Sequence, residues 1–492
     1  MIDTEALRKK VIDLAIQGKL TEQLQTDGDA ETLYAQIQEE KAKLVKEGKI
    51  KKDKPLSEIT DEEILFEIPN SWKWVRLGEL CLQITDGTHK TPVYQNEGVP
   101  FLSVKNISSG TFDLKDIKYI SEEEHAELIK RCKPEKNDVL VCRIGTLGKA
   151  ITIDIDLEFS IFVSLGLIKT TDKIVSDYIV QVINSGYGEA WIKDNKAGGA
   201  MHTYKINLNS LALLPVPLAP LSEIERILRL NDEVKTHIEN ISNLQAKYSN
   251  DLATLKSKII DAGIRGKLTE QLSDDGDAES LYAQIQEEKA KLIKEGKIKK
   301  EKPLGDITDD EIPFEIPKNW KWVRFGNASN IIGTGLIRSG QEQFEKADCY
   351  YFKMNNMGNF DGKCDYDNMV MVNVSEEEYS KFKLQEGDFL FNTRNSVELV
   401  GKSVVINEMP YENIVFNNNI LKIRFLEKSI ANYIGYYFIS SYGKNALKQF
   451  VSSTTNVAAI YQRQIITLPI PLPPLKEQER IVEKIESLLE LI

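Results

Sequence analysis

The chain has few residues of the kinds that build metal sites, disulfide frameworks or membrane spans. Its 492 residues hold only five cysteines and four histidines. The cysteines are scattered without a C-x-x-C pair, which argues against a zinc site and a disulfide framework and favours a reducing compartment. The chain has no run of about 18 apolar residues, so no membrane span is expected. Its first residues lack the apolar core of a signal peptide. We therefore expect a cytoplasmic protein of two or three domains.

Positive charge is also scarce, since Lys and Arg number 63 against 75 Asp and Glu, a net charge of −12. Phosphate binding needs Lys and Arg, so this balance argues against autonomous, tight binding of nucleic acid. A global sum does not reveal local patches, however. Binding through basic loops, or with the help of a basic partner, stays open.

Recognisable catalytic motifs are missing. There is no G-x-x-x-x-G-K-[ST] phosphate loop, since the glycine-rich stretch 145–149 is too short, and no N-P-P-[FYW] or D-P-P-[FYW] motif of adenine methylation. The histidines show no metal-ligand spacing. The sequence therefore gives no sign of an enzyme of these kinds.

What the sequence does contain is a long internal repeat. Residues 13–78 recur as 261–326 without a gap, with 51 identities in 66 positions. A second echo returns residues 214–227 as 468–481. The segments between them, 79–206 and 327–460, have similar lengths and little identity. A shared frame with divergent inserts predicts one architecture that carries two different reading heads.

The frame includes one long predicted helix over residues 222–262. Pro220 precedes it, and Ser222 with Glu225 forms a capping box. At 1.5 Å per residue this helix spans about 60 Å. Its apolar residues recur at steps of three or four, the pattern of a coiled-coil seam that must pack against another helix. The seam comprises Ile227, Leu230, Val234, Ile238, Ile241, Leu244, Tyr248, Leu252, Leu255 and Ile259.

The chain termini supply a candidate for that partner helix. Residues 476–492 align with 222–238, and residues 1–20 align with 249–268. The C-terminus thus gives the first part of a second long helix and the N-terminus gives its last part. We expect a ring of two repeats that is opened inside one long helix. The alternative is that both termini form independent, frayed helices.

Each frame also holds a Lys-rich connector and a tryptophan motif. Residues 41–54 contain seven Lys, and 289–302 match them. These Lys form either a solvated basic face or a contact with a DNA backbone or partner. Trp72, Trp74 and their repeats are expected to be core residues of a first strand rather than base-stacking platforms.

The divergent segments are predicted to share a topology of mixed strands and helices. In the first, strands are expected at 101–105, 138–144, 150–155 and 161–169, with a helix over 178–194. In the second, strands at 350–354, 388–392, 402–406 and 414–425 precede a helix near 431–450.

Three polar loops align between the two heads, 85–91 with 333–339, 143–149 with 394–402, and 196–205 with 452–456. Arg can bind guanine bidentately, Asn can bind adenine, and small residues let the backbone approach phosphate. Ordinary polar connections between strands are the alternative. The candidate DNA-binding residues are Thr88, His89, Lys90, Lys105, Asn106, Arg143, Thr146, Lys149, Lys196, His202, Tyr204, Lys205, Thr334, Arg338, Ser339, Asn355, Asn356, Arg394, Asn395, Ser396, Lys402, Ser453, Thr454 and Asn456.

At this point the sequence resembles the specificity subunits of type I restriction–modification systems. The resemblance covers the whole chain. It is carried by duplicated motifs in a fixed order: G-K-L at 18–20 and 266–268, L-P-x-P with E-x-E-R-I at 214–227 and 468–481, I-P-x-x-W-x-W-V-R-x-G at 68–78 and 316–326, and D-[VF]-L with a later G-K at 138–149 and 388–402.

The resemblance implies a mixed α/β (α+β) fold with two target recognition domains joined by two long antiparallel helices. The implied recognition domains are 70–221 and 318–475, and the helical Lys-rich connectors are 21–69 and 267–317. The central long helix is 222–266. The distal long helix has its N-terminal part at 1–20 and its C-terminal part at 476–492.

In such a protein each recognition domain reads one half of a bipartite double-stranded DNA target, and the helices set the spacer between the halves. The resemblance further implies two modification subunits, which carry S-adenosylmethionine and methylate adenine N6, and two motor-nuclease subunits, which use ATP and Mg²⁺. This chain is expected to be non-catalytic and to bind none of these cofactors itself.

The helix seam supplies the candidate docking residues for those partners. They are Ile227, Val234, Ile238, Leu252, Leu255, Ile481, Leu488, Leu7 and Val11. Two other functions stay open from the sequence: a helical scaffold that pairs two different proteins, and a single-chain nuclease or methyltransferase with an unrecognised site.

Overall fold

The computed structural model describes residues 1–198, 204–300, 302–367, 369–453 and 457–492. The chain divides into two compact units, unit 1 (Met1–Ala246) and unit 2 (Lys247–Ile492). Each unit combines part of the repeated frame with one divergent head. Within the described ranges, no helix is both long enough and apolar enough to cross a membrane.

Unit 1 mixes helices with short strands. Its helices are α1 (Thr4–Ile16), α2 (Ala30–Lys46), α3 (Leu77–Leu80), α4 (Glu122–Leu128), α5 (Lys173–Asn184), α6 (Gly186–Asp194), α7 (Leu208–Ala212) and the first part of α8 (Leu221–Ile264). Its strands are β1 (Lys73–Arg76), β2 (Gln83–Asp86), β3 (Val99–Leu102), β4 (Lys118–Ile120), β5 (Val139–Cys142), β6 (Ala150–Thr152), β7 (Ser160–Ile161), β8 (Leu165–Lys169) and β9 (Pro215–Leu218).

Unit 2 repeats this order. Its helices, after the last part of α8, are α9 (Ala278–Lys294), α10 (Phe325–Ala328), α11 (Glu376–Phe382), α12 (Lys428–Ile439), α13 (Ser441–Lys448), α14 (Gln462–Ile465) and α15 (Leu475–Glu490). Its strands are β10 (Lys321–Arg324), β11 (Asn330–Thr334), β12 (Cys349–Phe352), β13 (Val370–Val372), β14 (Phe389–Asn392), β15 (Arg394–Asn395), β16 (Ser403–Val405), β17 (Ile414–Phe416), β18 (Ile420–Arg424), β19 (Ser452–Ser453), β20 (Ala458–Ala459) and β21 (Pro469–Leu472).

The two heads share sheet topology. In unit 1 an antiparallel sheet has the order β2-β8-β5-β6, and a second sheet has the order β4-β3-β7. Unit 2 has the matching orders β11-β18-β14-β16 and β13-β12-β17. It adds a small sheet, β15-β20-β19. Each head thus contains these two sheets. The connections between these sheets lie at one end of the head, where the divergent loops also lie.

The central strand of each head is buried on both faces. In β5, Val139 and Val141 pack with the helices of the frame, whereas Leu140 and Cys142 pack against the second sheet. In β14, Phe389 and Leu390 divide in the same way. A strand covered on both sides reads as a continuous apolar run, which explains why the V-L-V-C and F-L-F segments stand out in the sequence.

A buried tryptophan fastens each head to the start of a long helix. The Trp72 indole N–H donates to Glu223 Oε2 at 2.8 Å, and Trp320 donates to Glu477 Oε2 at 2.8 Å. Trp72 and Trp320 are buried, so a polar partner is required for each N–H. The expectation of core tryptophans in a first strand is confirmed in part. Trp72 and Trp320 are core residues that immediately precede β1 and β10, whereas Trp74 and Trp322 lie within those strands and are half-buried against the core.

The frame contacts also repeat at the other end of the helices. In unit 1, Asp13 of α1 accepts a hydrogen bond from the backbone N–H of Tyr187 at 3.3 Å. In unit 2, Asp261 of α8 accepts one from Ser441 at 2.9 Å. The N-terminus also meets α8 inside unit 1, where Ile2 N–H donates to Gln245 Oε1 at 2.8 Å. Equivalent contacts at the helix ends are therefore present in both units. Closure of the ring stays a prediction.

Several local expectations are confirmed and others need correction. The predicted helix at 222–262 is confirmed as α8, and the mixed α/β class is confirmed. The single helix expected over 178–194 is wrong, because Ser185 caps α6 through a hydrogen bond to Gly188 N–H at 2.9 Å and separates it from α5. The helix expected near 431–450 is likewise divided into α12 and α13 at Ser440. The strand expected at 161–169 and its counterpart at 414–425 are each interrupted by a turn.

Candidate functional site

In unit 1 the predicted loops converge at one end of the head. Thr88 N–H donates to Ile161 O at 3.0 Å, and Ile206 N–H donates to Arg143 O at 3.0 Å. We name this end loop cluster 1. It comprises residues 85–91, 103–110, 143–149, 162–164, 196–198 and 204–206.

Arg143 holds loop cluster 1 together from inside. Its guanidinium is buried, pairs with Asp86, and donates to Val163 O at 3.2 Å and to Ile206 O at 3.2 Å. Its Nε and Nη1 groups thus donate inside the protein, and the residue supports the loops. The DNA contact of Arg143 stays a prediction.

Asp86 is the anionic centre of this arrangement. The carboxylate is buried and pairs with Arg143 and Arg131, and His89 lies 3.1 Å from it through Nε2. A buried carboxylate with two arginines and an imidazole is a satisfied charge. It anchors the 85–91 loop and orients the His89 ring, whose side chain is largely exposed.

Lysines form the outer surface of loop cluster 1. Lys90, Lys105 and Lys205 are exposed, and within the described ranges none of the three makes an ion pair. Lys196 lies over the Tyr204 ring at 4.3 Å. Among the neutral candidates, Thr146 is exposed, while the Thr88 hydroxyl hydrogen-bonds with the backbone of Lys90.

Two candidates in this cluster have mainly local roles, and one lies outside the described residues. The buried Asn106 side chain accepts from Ser103 N–H at 2.9 Å and donates to Asp113 O at 3.1 Å. It thus has a local structural role, and its DNA contact stays a prediction. Lys149 is half-buried beside Gly110. His202 falls outside the described residues.

Unit 2 has a corresponding end, loop cluster 2, whose central hydrogen bonds join neutral groups. Thr393 N–H donates to Asn419 O at 2.8 Å, and Ile460 N–H donates to Thr393 O at 3.0 Å. The buried Asn392 amide donates to Asn419 O at 3.1 Å and to Arg394 O at 3.0 Å. Loop cluster 2 comprises residues 333–339, 353–357, 393–402, 417–419 and 457–460.

These contacts correct the alignment of the two heads by one residue. Arg143 corresponds to Thr393, because each donates its N–H to the turn before the next sheet strand and accepts from Ile206 or Ile460. Arg394 instead corresponds to Ile144, since both lie in bridges to the same later segment. Arg394 is exposed, so its predicted DNA contact stays a prediction.

Other cationic candidates in loop cluster 2 are committed internally. Lys402 is buried and donates to Met354 O at 2.8 Å and to Met357 O at 2.7 Å, and burial lowers its pKa. Arg338 pairs with Glu378 at 2.8 Å and donates to Asn373 O at 3.1 Å. Lys402 thus has internal partners and Arg338 is held against α11, so the DNA contacts of both stay predictions.

The remaining candidates of unit 2 divide between exposed and structural positions. Asn356 is buried and caps its own turn by accepting from Lys353 N–H at 2.9 Å, and its DNA contact stays a prediction. The hydroxyl and the backbone N–H of Ser339 both donate to the Glu342 carboxylate, so this residue is already hydrogen-bonded within the protein. Thr334 and Asn355 are exposed, Asn395 and Ser396 are half-buried, and Ser453 ends β19. Thr454 and Asn456 fall outside the described residues.

The sequence interpretation missed one segment of each cluster. The turns 162–164 and 417–419 join the two sheets of each head and lie between the predicted loops. Three consecutive asparagines at 417–419 were a signal that could have identified the second turn. The long strands expected over 161–169 and 414–425 concealed both turns.

The predicted docking residues also divide by burial. Ile227 and Ile481 are fully buried in the cores of their own units, and Ile238 is buried as well, so all three have structural roles. Docking through them stays a prediction. Leu255 and Leu7 are exposed, whereas Val234, Leu252, Leu488 and Val11 are half-buried. Two exposed seam residues, Leu244 and Tyr248, are further candidates.

Similarity to known proteins extends over nearly the whole chain. Residues 317–492 match the type I restriction modification DNA specificity domain family. Over 98% of its length the chain is 26% identical to the type I restriction enzyme EcoAI specificity subunit of Escherichia coli, covering 88% of that protein. It is 24% identical to the EcoEI specificity subunit of Escherichia coli, with 99% of this chain and 89% of that protein covered. Residues 317–492 thus match the DNA specificity domain, and over nearly its whole length the chain is similar to type I restriction enzyme specificity subunits.

The structural comparison agrees at the level of fold. A solved chain from a study of complex assembly and conformational transition of the type I R-M system aligns with a TM-score of 0.57 at 19% identity. The alignment covers 87% of this chain and 92% of that chain. The family resemblance seen in the sequence is confirmed.

Proposed function

We propose that each head of this specificity subunit binds one half of a bipartite double-stranded DNA target through its loop cluster. The observation that carries the proposal is a set of exposed lysines in loop cluster 1, Lys90, Lys105 and Lys205, which make no ion pair with any residue that the structure describes. The chain as a whole carries a net charge of −12, so a local group of cations without acidic partners is a distinct feature. Such cations bind phosphates and fix the register of a protein on the duplex.

The two clusters differ in chemistry, which supports two different half-sites. Loop cluster 1 is organised by the Asp86–Arg143 pair, whereas the corresponding positions in loop cluster 2 are Thr334 and Thr393. His89 corresponds to Ile337, which is 71% exposed. Groups with different hydrogen-bonding capacity at matching positions select different base edges.

We further propose that the frame holds the catalytic partners. Two modification subunits would bring S-adenosylmethionine for adenine-N6 methylation, and two motor-nuclease subunits would bring ATP and Mg²⁺. The exposed residues Leu244, Tyr248 and Leu255 are spaced along α8, and Leu7 is exposed on α1. They support docking there, because apolar residues spaced along a helix face pack well against another helix.

Exchange of one head tests the DNA-reading function. We expect replacement of residues 79–213 by the corresponding segment of another specificity subunit to change one half of the methylated sequence completely and leave the other half unchanged. The measurement is sequencing of methylated adenines in a host that expresses the full complex. The matched control exchanges residues 327–467 and should change the other half. An unaltered motif in both chimaeras would favour a protein scaffold instead.

Shortening α8 tests whether the helix sets the spacer. Removal of four residues shortens an α-helix by about 6 Å, and one base pair rises about 3.4 Å. We expect the unspecified spacer of the methylated motif to lose about two base pairs while both half-sites are kept. A control that replaces four exposed polar residues of α8 by alanine should keep the spacer. A shortened helix with the original spacer would contradict the ruler.

A further inference from the structure

The turn at residues 417–419 differs chemically from its counterpart in the other head. Asn418 N–H donates to Leu336 O at 3.0 Å, and Val163 N–H donates to Thr88 O at 3.0 Å. Asn418 therefore occupies the position in loop cluster 2 that Val163 occupies in loop cluster 1. Both side chains are half-buried.

The asparagines on either side of Asn418 are used by the fold. The Asn417 amide donates to the Tyr351 hydroxyl at 2.6 Å, and its Oδ1 accepts from Asn419 N–H at 2.9 Å. Asn419 O accepts from Thr393 and from the Asn392 amide. These bonds fix the turn and leave the middle residue between two immobilised neighbours.

The side chain of Asn418 itself has no hydrogen-bond partner within the described ranges. A half-buried amide loses part of its hydration without recovering a bond, which is unfavourable. Folding therefore does not require an amide at this position. Because its neighbours hold it in place, the amide is preorganised to bind a group outside the protein.

The surroundings of Asn418 suit a base edge. The Asn392 amide binds both Asn419 O and Arg394 O, so the exposed Arg394 lies on the segment tied to the Asn418 turn. Ile337 follows the residue that accepts the Asn418 N–H bond and is also exposed. The cation Arg394, the amide Asn418 and the apolar Ile337 thus lie on segments that are hydrogen-bonded to one another.

We propose that Asn418 is the adenine-specifying contact of the second head, an inference that rests on the proposed DNA-reading function. An asparagine amide binds adenine bidentately in the major groove, where Oδ1 accepts from the N6 amino group and Nδ2 donates to N7. Val163 has no such groups, so the first head makes an apolar contact at this position.

Substitution of Asn418 by valine tests the proposal in the full complex. The measurement is the base preference at every position of the methylated motif, sequenced from a host that expresses the complex. We expect discrimination in favour of adenine at one position of the second half-site to fall about 5- to 150-fold. The first half-site should be unchanged. Asn445→Ala, an exposed asparagine on α13, is the control and should leave the motif intact.

Two further variants cover the case in which Asn418→Val unfolds the head. Asn418→Asp keeps the size of the side chain but accepts only, so we expect the preference at that position to move from adenine towards cytosine. Val163→Asn should add a preference for adenine to the first half-site.

The outcomes separate the inference from the function on which it rests. An unchanged adenine preference in both Asn418 variants, with both half-sites still read, overturns the role of Asn418 and leaves DNA reading intact. If instead the head exchanges leave the wild-type motif unaltered, DNA reading itself fails.

Discussion

Substitution of Asp86 by alanine is expected to lower the free energy of unfolding of the first head by about 3–5 kcal/mol, because it leaves a buried cation without its counter-charge. Arg143 would keep only the carbonyls of Val163 and Ile206. The Arg143 guanidinium joins the end of β5 to the 85–91 loop and to the 162–164 turn. Loss of the Asp86 carboxylate should therefore cause local unfolding of loop cluster 1. We also expect reading of the first half-site to be lost.

Hydrogen exchange followed by mass spectrometry measures this effect within the full chain. Peptides from residues 81–213 should lose protection, while peptides from unit 2 serve as an internal reference, because local openings are reported segment by segment. Unaltered protection around Asp86 would show that the buried pair contributes little.

The second head supplies the matched control for this pair. Thr334 and Thr393 stand where Asp86 and Arg143 stand in the first head. The double variant Asp86→Thr with Arg143→Thr removes both charges and should cost less than Asp86→Ala alone, with a coupling energy of about 1–3 kcal/mol between the two sites. Additive losses would mean that the two residues act independently.

Substitution of Arg76 by alanine is expected to destabilise unit 1 by a similar amount, about 3–5 kcal/mol. The guanidinium is buried and pairs with Glu63 at 2.7 Å. It also donates to Ser57 O at 3.0 Å, Leu213 O at 2.6 Å and Glu58 O at 2.7 Å. Its removal leaves these acceptors without their donor and frees the connector that precedes β1.

The same pair gives the protein a pH dependence with a definite sign. The hydrogen bond from Arg76 lowers the pKa of Glu63 to about 2. Because the folded pKa lies below the ordinary value of 4.5, this stabilisation is present above pH 4.5 and is lost as the pH falls towards 2. The Arg76→Ala variant should lack this acid-dependent component.

Unit 2 again provides the comparison. Arg324 makes the equivalent set of bonds, and it lowers the pKa of Glu311 to about 2. Arg324→Ala should therefore reduce protection in unit 2 and leave unit 1 unchanged, the mirror image of Arg76→Ala. If both variants keep wild-type exchange rates, the repeated arginines have no stabilising role.

The sequence was sufficient for the architecture because the architecture is written in repetition and periodicity. The repeat at 13–78 and 261–326 predicted two copies of one frame, and the apolar spacing over 222–262 predicted α8. Both depend on residues that are near neighbours in the chain. The apolar runs of β5 and β14 identified the central strands for the same reason.

The roles of individual cations could not be predicted in this way. Arg143 and Lys402 have the residue types and loop positions of DNA contacts, yet both are buried. The partner of Arg143 is 57 residues away, and the acceptors of Lys402 are 48 and 45 residues away. A sequence pattern does not show which distant carboxylate or carbonyl will meet a given side chain.

By itself the sequence determined the doubled frame, the long helix, the mixed fold class and the family. The tertiary structure alone decided which loop residues remain exposed, that Thr393 rather than Arg394 matches Arg143, and that Asn418 lies in the centre of a loop cluster. The physical reason is that periodicity and repetition are properties of the chain. Burial and pairing, in contrast, arise only when segments far apart in the chain pack together.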